Sequence, residues 1–321
     1  MTNWRSILKI LIIAAVCLAA LLVYRSLSRY SWDEIEESVL SISRYRLAGA
    51  FGFVILSYIC LTLFDTLAVR YAGKPLPYYR TALASFTSLS IGHNVGMAAL
   101  SSGAVRYRFY SRWGLTPEHV GKVILFCGVT VGLGLATLAG LAFLLDMRRP
   151  EDLLGLDQTA RALLAFACLS IPAIYLVLCV TVRRPLRIRS WNFDMPTLPL
   201  ALGQILVGGL NFACVAACIH QLLAAFTDAG YLEVATAYVT ANMVSLISHV
   251  PGGLGVLEAT ILGIIPGTAA IGALVAFRCL YFFVPLSIGL PTLLVAEAYY
   301  RRQGRQAVRT DGPLTSGRPF S

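Results

Sequence analysis

ALASFTSLSIGHNVGMAALSSGAV, residues 82–105, is the stretch on which the topology turns. It is long enough to cross a bilayer, because roughly 20 residues at about 1.5 Å of rise each span about 30 Å of hydrocarbon. Yet its glycines, serines, His93 and Asn94 make it far more polar than a lipid-facing helix. Arg106, Arg108, Arg112 and Lys122 follow it, and short basic loops belong on the cytoplasmic side of a membrane. If the stretch crosses fully, these four charges lie outside. If it dips in and returns, they stay inside, and Asp146, Glu151, Asp152 and Asp157 then fall outside while Arg183, Arg184, Arg187 and Arg189 fall inside. The re-entrant reading satisfies the charge rule throughout.

The rest of the chain is built for the same solvent. Hydrophobic residues make up 57% of it and charged residues 13%, with a mean hydropathy of +0.73; so little polar surface cannot coat a water-soluble globule. Apolar runs read as spanning helices near Ile7 to Val23, Leu47 to Val69, Val120 to Leu145, Ala162 to Val182, Leu198 to Phe226 and Ala269 to Ala298. The first has no small-residue cleavage site after it and is read as retained. A second polar, glycine-rich stretch, Val234 to Ile265, follows an acidic loop with Asp228 and Glu233. The arginines of the C-terminal tail sit in the cytoplasm only if this stretch also enters and leaves on one side, the outer one.

The expected fold class is therefore all-α: a polytopic helical membrane protein of about six spanning helices plus two re-entrant helical hairpins, with both termini cytoplasmic in a bacterial-type inner membrane. Residues 1–302 form the membrane domain, and residues 303–321, poor in apolar side chains, are expected to be a disordered tail. Ser88 to Gly96 can be laid on Ser245 to Gly252 with one gap, each a small-polar run ending in His and then Gly. That match fits an inverted repeat, the arrangement in which broken helices place free backbone groups near the bilayer middle.

The net charge of +10 comes from 26 basic against 16 acidic residues. It clusters in loops beside apolar runs with no aromatic-basic nucleic-acid module, which excludes nucleic acid as the partner. The eight cysteines lie in apolar stretches without a C-x-x-C pair and read as packing residues.

Ionisable groups within apolar spans cost about 2.5 kcal/mol or more each at a helix centre unless paired or wet. They are few: Asp65, His93, Arg106, His220, His249, Glu258 and Arg278. The turn Pro251-Gly252-Gly253-Leu254-Gly255-Val256-Leu257-Glu258 lacks a donor at proline and allows positive φ at its glycines, so the chain can turn within the membrane and restart a helix near Val256. Glu258 then sits in the first helical turn, where it suits the dipole or reaches a buried cation. Arg278 lies too deep in its helix to reach the surface and is expected to face the interior, paired with Glu258 or with a phosphate. Arg106 and Arg108 alternate with Tyr107, Phe109 and Tyr110, a pattern that suits anionic headgroups or plain interfacial anchoring. His93 and His249 are candidate substrate contacts, or with Asp65 a candidate metal or proton site. No H-E-x-x-H, P-loop, dinucleotide or nucleophile-elbow pattern occurs, so neither a metal, a cofactor nor a catalytic residue is expected.

The segments Gly103–Tyr110, Ser248–Glu258 and Arg278–Pro285 resemble the lysylphosphatidylglycerol synthase transmembrane-region family, which includes the flippase portion of the multiple peptide resistance factor. The resemblance covers about residues 5 to 300, and its most specific part is Pro251, Gly252, Gly253, Gly255 and Glu258 with the later Arg278. Fused relatives add a soluble aminoacyltransferase domain; only about twenty residues follow Arg302 here, far short of such a domain. The resemblance thus implies binding or translocation of phospholipids, anionic ones above all, beside a separate lipid-modifying enzyme, and not lipid synthesis. An intramembrane enzyme using His93, His249, Asp65 or Glu258, and a scaffold for a separate synthase, stay open from the residues alone.

Overall fold

The computed structural model describes Glu36 and residues 40–95, 98–145, 157–182, 186–188, 191–248, 255–265 and 270–310. The first expected span, His249, Pro251, Gly252, Gly253, most of the expected outer loops and residues 311–321 lie outside the described residues.

The protein is an all-α polytopic membrane protein. Its helices, in chain order, are α1 (Arg44–Tyr71), α2 (Tyr78–Val95), α3 (Ala98–Arg112), α4 (Pro117–Leu145), α5 (Gln158–Thr181), α6 (Leu198–Leu223), α7 (Tyr231–Ser248), α8 (Val256–Ile264), α9 (Ala270–Arg278) and α10 (Val284–Thr310). A π-helical turn, Cys279–Phe283, joins α9 to α10 in one continuous rod. Among the described residues, five stretches are long and apolar enough to cross a membrane: α1, α4, α5, α6 and Ile271–Tyr300. They coincide with the last five expected spans. α2, α3, α7 and α8, the four helices of the two polar stretches, are not among them.

Two local departures have plain causes. The basic loop before α6 carries a short antiparallel pair, β1 (Leu186–Ile188) and β2 (Trp191–Phe193), with Arg187 opposite Asn192; two extended segments so close in sequence satisfy each other's backbone groups. α10 also runs on to Thr310, so the tail expected to be disordered from Gln303 begins as helix.

Packing fixes the arrangement. α1 lies along α6, and α4 lies between α5 and α6. At the α4–α6 crossing a Cβ on Gly208 would stand 2.7 Å from the Thr130 carbonyl oxygen and 3.0 Å from Gly134 Cα. Small residues there let two backbones meet, which is how membrane helices gain dispersion contacts without a hydrophobic drive. Gln204 ties three helices, donating from Nε2 to Thr130 Oγ1 (2.9 Å) and the Phe126 carbonyl (3.2 Å) while its Oε1 accepts from Tyr175 (2.6 Å). α5 turns most of its surface outward, with Leu163, Phe166, Ile174 and Val177 57–76% exposed; in a membrane chain this is the lipid-facing side.

The polar stretches form two helical hairpins, α2 against α3 and α7 against α8. The Arg80 guanidinium near the start of α2 lies 5.8 Å from the Trp113 ring just past α3, so the first hairpin starts and ends at one end of the bundle. The end of α1 lies there too, its Tyr71 hydroxyl donating to the Asp194 carbonyl just ahead of α6. α7 starts at the opposite end, where the Tyr231 ring meets His220 of α6 at 6.1 Å. The α9–α10 rod runs from α8 at that far end to Glu297 beside Arg112. The hairpins therefore enter from opposite ends, as charge counting expects.

Candidate functional site

The first hairpin is fastened by a buried ion pair. Ser102, Arg106 and Tyr110 recur every four residues on α3 and so share one face. That face meets Asp65 of α1. Arg106 donates from Nε to Oδ1 and from Nη2 to Oδ2, both at 2.8 Å, and from Nη1 to Ser102 Oγ at 2.9 Å. The Tyr110 hydroxyl donates to Asp65 Oδ1 at 2.7 Å. The Arg106 and Asp65 side chains are 4% and 0% exposed. The expected alternation of arginine and aromatic residues at a headgroup surface thus does not hold for Arg106, which turns inward because helical period, not sequence neighbourhood, sets its face.

Arg108 does stay at the basic end. It lies 3.9 Å from Glu297 of α10, and Arg112 reaches the same carboxylate at 2.6 Å. The Arg112 guanidinium covers the Tyr300 ring at 4.9 Å, and Trp113 Nε1 donates to the Tyr300 hydroxyl at 3.3 Å. The Arg80, Arg108 and Arg112 cluster with Tyr79, Trp113 and Tyr300 forms an aromatic-basic collar of the kind found at headgroup level.

The second hairpin carries the other pair. Gly255, with φ of +78°, precedes α8 in a conformation that side-chain-bearing residues rarely adopt. Its N–H donates to Glu258 Oε2 at 2.9 Å, so the carboxylate closes back over the start of its own helix. Arg278, the last residue of α9, donates from Nε to Oε1 at 2.6 Å and from Nη2 to Oε2 at 3.2 Å. The two side chains are 6% and 14% exposed, and the guanidinium stands 4.7 Å from the Phe282 ring. Eight residues of rise put Arg278 about 12 Å along its helix from Ala270.

Between the two hairpins sits the π-helical turn. There the Val284 N–H donates to the Cys279 carbonyl, five residues back, and so wide a turn leaves neighbouring carbonyls short of helical donors. Side chains from elsewhere take them. The Tyr58 hydroxyl of α1 donates to the Tyr281 carbonyl and Asn94 Nδ2 of α2 donates to the Phe282 carbonyl, each at 3.2 Å. The Tyr281 hydroxyl lies 3.2 Å from Ser57 Oγ, which donates to Asn211 Oδ1 at 2.7 Å. His93 stacks on the Tyr281 ring at 5.9 Å and tilts toward Phe282 at 6.2 Å. The tip of the first hairpin and the ion pair of the second thus meet on the same aromatic residue.

The expected residues therefore do not form one cluster. Glu258 and Arg278 pair with each other; Arg106 belongs to Asp65; Arg108 stays at the basic end. His93 is near the centre but not on Asp65, whose oxygens are taken by Arg106 and Tyr110, and His220 stands apart against Tyr231. Among the described residues no group of three His, Cys, Asp or Glu side chains is placed to hold a metal. The described cysteines are free thiols, mostly buried. Sequence reading missed Tyr58, Asn94, Tyr281 and Phe282, the residues that build the centre. Asn94 beside His93 in a tip was the one visible signal.

No family model matches the chain. It is 32% identical over 315 residues to an uncharacterised protein, slr0712, of Synechocystis, covering 95% of this chain and 98% of that one. It is 30% identical over 311 residues to the inner membrane protein YbhN of Escherichia coli, covering 94% and 95%. A more distant likeness, 22% over 292 residues, is to a phosphatidylglycerol lysyltransferase of Staphylococcus haemolyticus, covering 89% of this chain and 34% of that much longer protein. With near-complete coverage on both sides and five apolar spanning stretches, the chain belongs to the family of inner membrane proteins that includes YbhN.

Proposed function

We propose that this protein binds a phospholipid by its headgroup and moves it between leaflets, with the Glu258–Arg278 pair as the binding element. The observation that carries the reading is the depth and setting of that pair. It is a bidentate arginine–carboxylate contact at the start of α8 in the second hairpin, with Arg278 against Phe282. Two ionised groups held this far from water are costly, and in membrane proteins such groups mark substrate paths. A phosphate presents the same planar pair of acceptors to guanidinium as a carboxylate does. A headgroup phosphate can therefore exchange with Glu258 on Arg278, while Glu258 keeps its bond from the Gly255 N–H at the start of α8. The distant likeness to a phosphatidylglycerol lysyltransferase agrees with a lipid partner.

In this reading the basic end of the bundle faces the cytoplasm, both termini lie there, and the second hairpin opens outward. The chain works as a transporter and not as an enzyme, beside a separate lipid-modifying enzyme where one exists. Anionic lipids first gather at the Arg80, Arg108 and Arg112 collar. Transbilayer movement of fluorescent phospholipids in vesicles containing the purified chain tests the reading. Movement faster than in empty vesicles, lost in Arg278→Leu, is the expected result; rates that match empty vesicles for several headgroups sink it.

A further inference from the structure

The end of the first hairpin's opening helix reaches toward the second hairpin's ion pair through one side chain, Asn94. It sits in the last turn of α2 and is 7% exposed. Its Nδ2 carries two hydrogens: one goes back to the Ser90 carbonyl of its own helix at 2.8 Å, the other across to the Phe282 carbonyl of the π-helical turn at 3.2 Å. α2 is itself fastened to α1, by Thr62 with Tyr78 and Thr66 with Thr81, each at 2.8 Å, and by Ser85 Oγ donating to the Leu61 carbonyl at 2.9 Å. The amide is thus a fixed point set against a soft one. Regular helical bonding does not hold the wide turn, so whatever grips its carbonyls decides its shape. Phe282 has a contact at its other end, where its ring lies 4.7 Å from the Arg278 guanidinium. Were the turn to close into regular helix, one residue of slippage would swing its side chains by about 100°, since 3.6 residues make a turn. The ring would then leave the guanidinium.

We propose that Asn94 is a positioning residue for the phosphate site: by holding the Phe282 carbonyl it keeps the Phe282 ring on Arg278 and so aims the guanidinium. The proposal rests on the reading of the Glu258–Arg278 pair as the binding element and adds what orients its arginine. While Glu258 is in place, its two oxygens set the guanidinium plane, at 2.6 and 3.2 Å. When a phosphate takes that place, the ring still holds the cation, because the face of an aromatic ring attracts a guanidinium and does so more strongly away from water. A planar fork that keeps its orientation can meet two phosphate oxygens at once. The acid on the second hairpin and the amide on the first therefore act on the same arginine, one directly and one through the turn.

The test is a cycle of variants read by the binding of a fluorescent short-chain phosphatidic acid to the purified full chain in detergent; this probe carries a phosphate and no further headgroup. Phe282→Leu removes the ring and should weaken binding about fivefold. Asn94→Leu keeps the size of the side chain, removes both donors and should weaken binding by about the same factor. The double variant should bind like Phe282→Leu alone, because Asn94 acts through the ring. Thermal unfolding is read beside affinity: the lost bond should lower stability with or without the ring, whereas affinity should respond to Asn94 only where the ring is present. Asn94→Ser, with one donor for two carbonyls, carries the same comparison if the leucine variant does not insert. Losses that multiply to about 25-fold in the double variant, or Asn94 variants that bind as the unaltered chain does, overturn the proposal. Arg278→Leu, combined with Glu258→Gln if it does not insert alone, separates this failure from failure of the reading beneath it. Undiminished binding there removes the phosphate site, and Asn94's role with it; weakened binding there, together with either of those two results, removes the positioning role alone.

Discussion

The two hairpins carry the same kind of ion pair the opposite way round. In the first, the arginine is on the hairpin and the acid on a spanning helix: Arg106 of α3 and Asp65 of α1. In the second, the acid is on the hairpin and the arginine on the spanning rod: Glu258 of α8 and Arg278 of α9. Their surroundings differ more than their chemistry. Asp65 is wholly enclosed and accepts three bonds from one face of α3. Glu258 keeps 14% of its side chain exposed, and its arginine lies against an aromatic ring beside a wide helical turn. A pair with every oxygen engaged and no access fixes a position. A pair with partial access, next to backbone that is not regular helix, can exchange partners. The first hairpin is thus the fixed half of the molecule and the second the half where binding is expected.

The largest effect that can break this contrast is on the first pair. Removing one member leaves an uncompensated charge away from water, which costs about 3–5 kcal/mol. Asp65→Ala and Arg106→Ala should each abolish or sharply lower the yield of folded protein, read as thermal unfolding in detergent. The double variant Asp65→Leu with Arg106→Leu should recover much of the loss, because well-packed apolar side chains can replace a buried pair at little cost. Equal damage from the singles and the double would show that the pair is not the fastener.

Packing of the first hairpin against α10 gives the next largest effect. A Cβ on Gly289 would run into Ser90 Oγ and approach its Cβ to 2.9 Å, with the Thr87 backbone close behind. Gly289→Leu should therefore destabilise by about 1–3 kcal/mol, the range for overpacking a well-filled contact, while Gly263→Ala, where a Cβ meets nothing within 4 Å, should change unfolding little. A tolerated Gly289→Leu would mean that α2 is free to move from α10.

A smaller stability effect with a larger functional one is expected at the second pair. Glu258→Gln keeps acceptors for the Gly255 N–H and for Arg278 and loses only the charge, at a pair that is 14% exposed on its acidic side, so it should cost less than the roughly 3–5 kcal/mol of an emptied partner. Lipid movement, in contrast, should fall by about tenfold or more if the carboxylate has to trade places with a phosphate. Arg278→Lys should insert normally yet transport poorly, since a point charge cannot copy the two-toothed contact. If Glu258→Gln is as unstable as Asp65→Ala and no slower than its folded fraction allows, the two pairs are equivalent and the contrast fails.

How far the sequence reaches follows the same division. Five of the spans and both hairpins were legible because bilayer thickness and loop charge leave few solutions; Ala82 to Val105 had to return once Arg106 to Lys122 were counted. The Glu258–Arg278 pair was legible because two lone charges in apolar surroundings need each other. Asp65 was read toward the histidines, yet Ser102, Arg106 and Tyr110 at four-residue spacing already drew the face that holds it. The π-helical turn was not legible at all. Nothing in Cys279 to Phe283 announces it, since its free carbonyls are satisfied by Tyr58 and Asn94 from helices far away in the chain. Tertiary contact, and not local propensity, makes that turn.

The smallest expected effect is at the collar, where the first hairpin's closing arm meets α10. Arg112 is 28% exposed and Glu297 17%, so water and salt reach the contact and the net worth of such a pair is about 0.5 kcal/mol. Arg112→Ala should leave unfolding almost unchanged in 0.5 M salt and slightly lowered in dilute buffer, a screening signature that the enclosed Arg106–Asp65 pair should lack. The same variant has a second readout. If the collar gathers anionic lipid for the site, Arg112→Ala should weaken the dependence of lipid movement on the anionic fraction of the vesicle while leaving movement in neutral vesicles as it was. An equal loss in neutral and anionic vesicles would place Arg112 with Arg106, as part of the fixed half, and would draw the boundary between the two halves closer to the site.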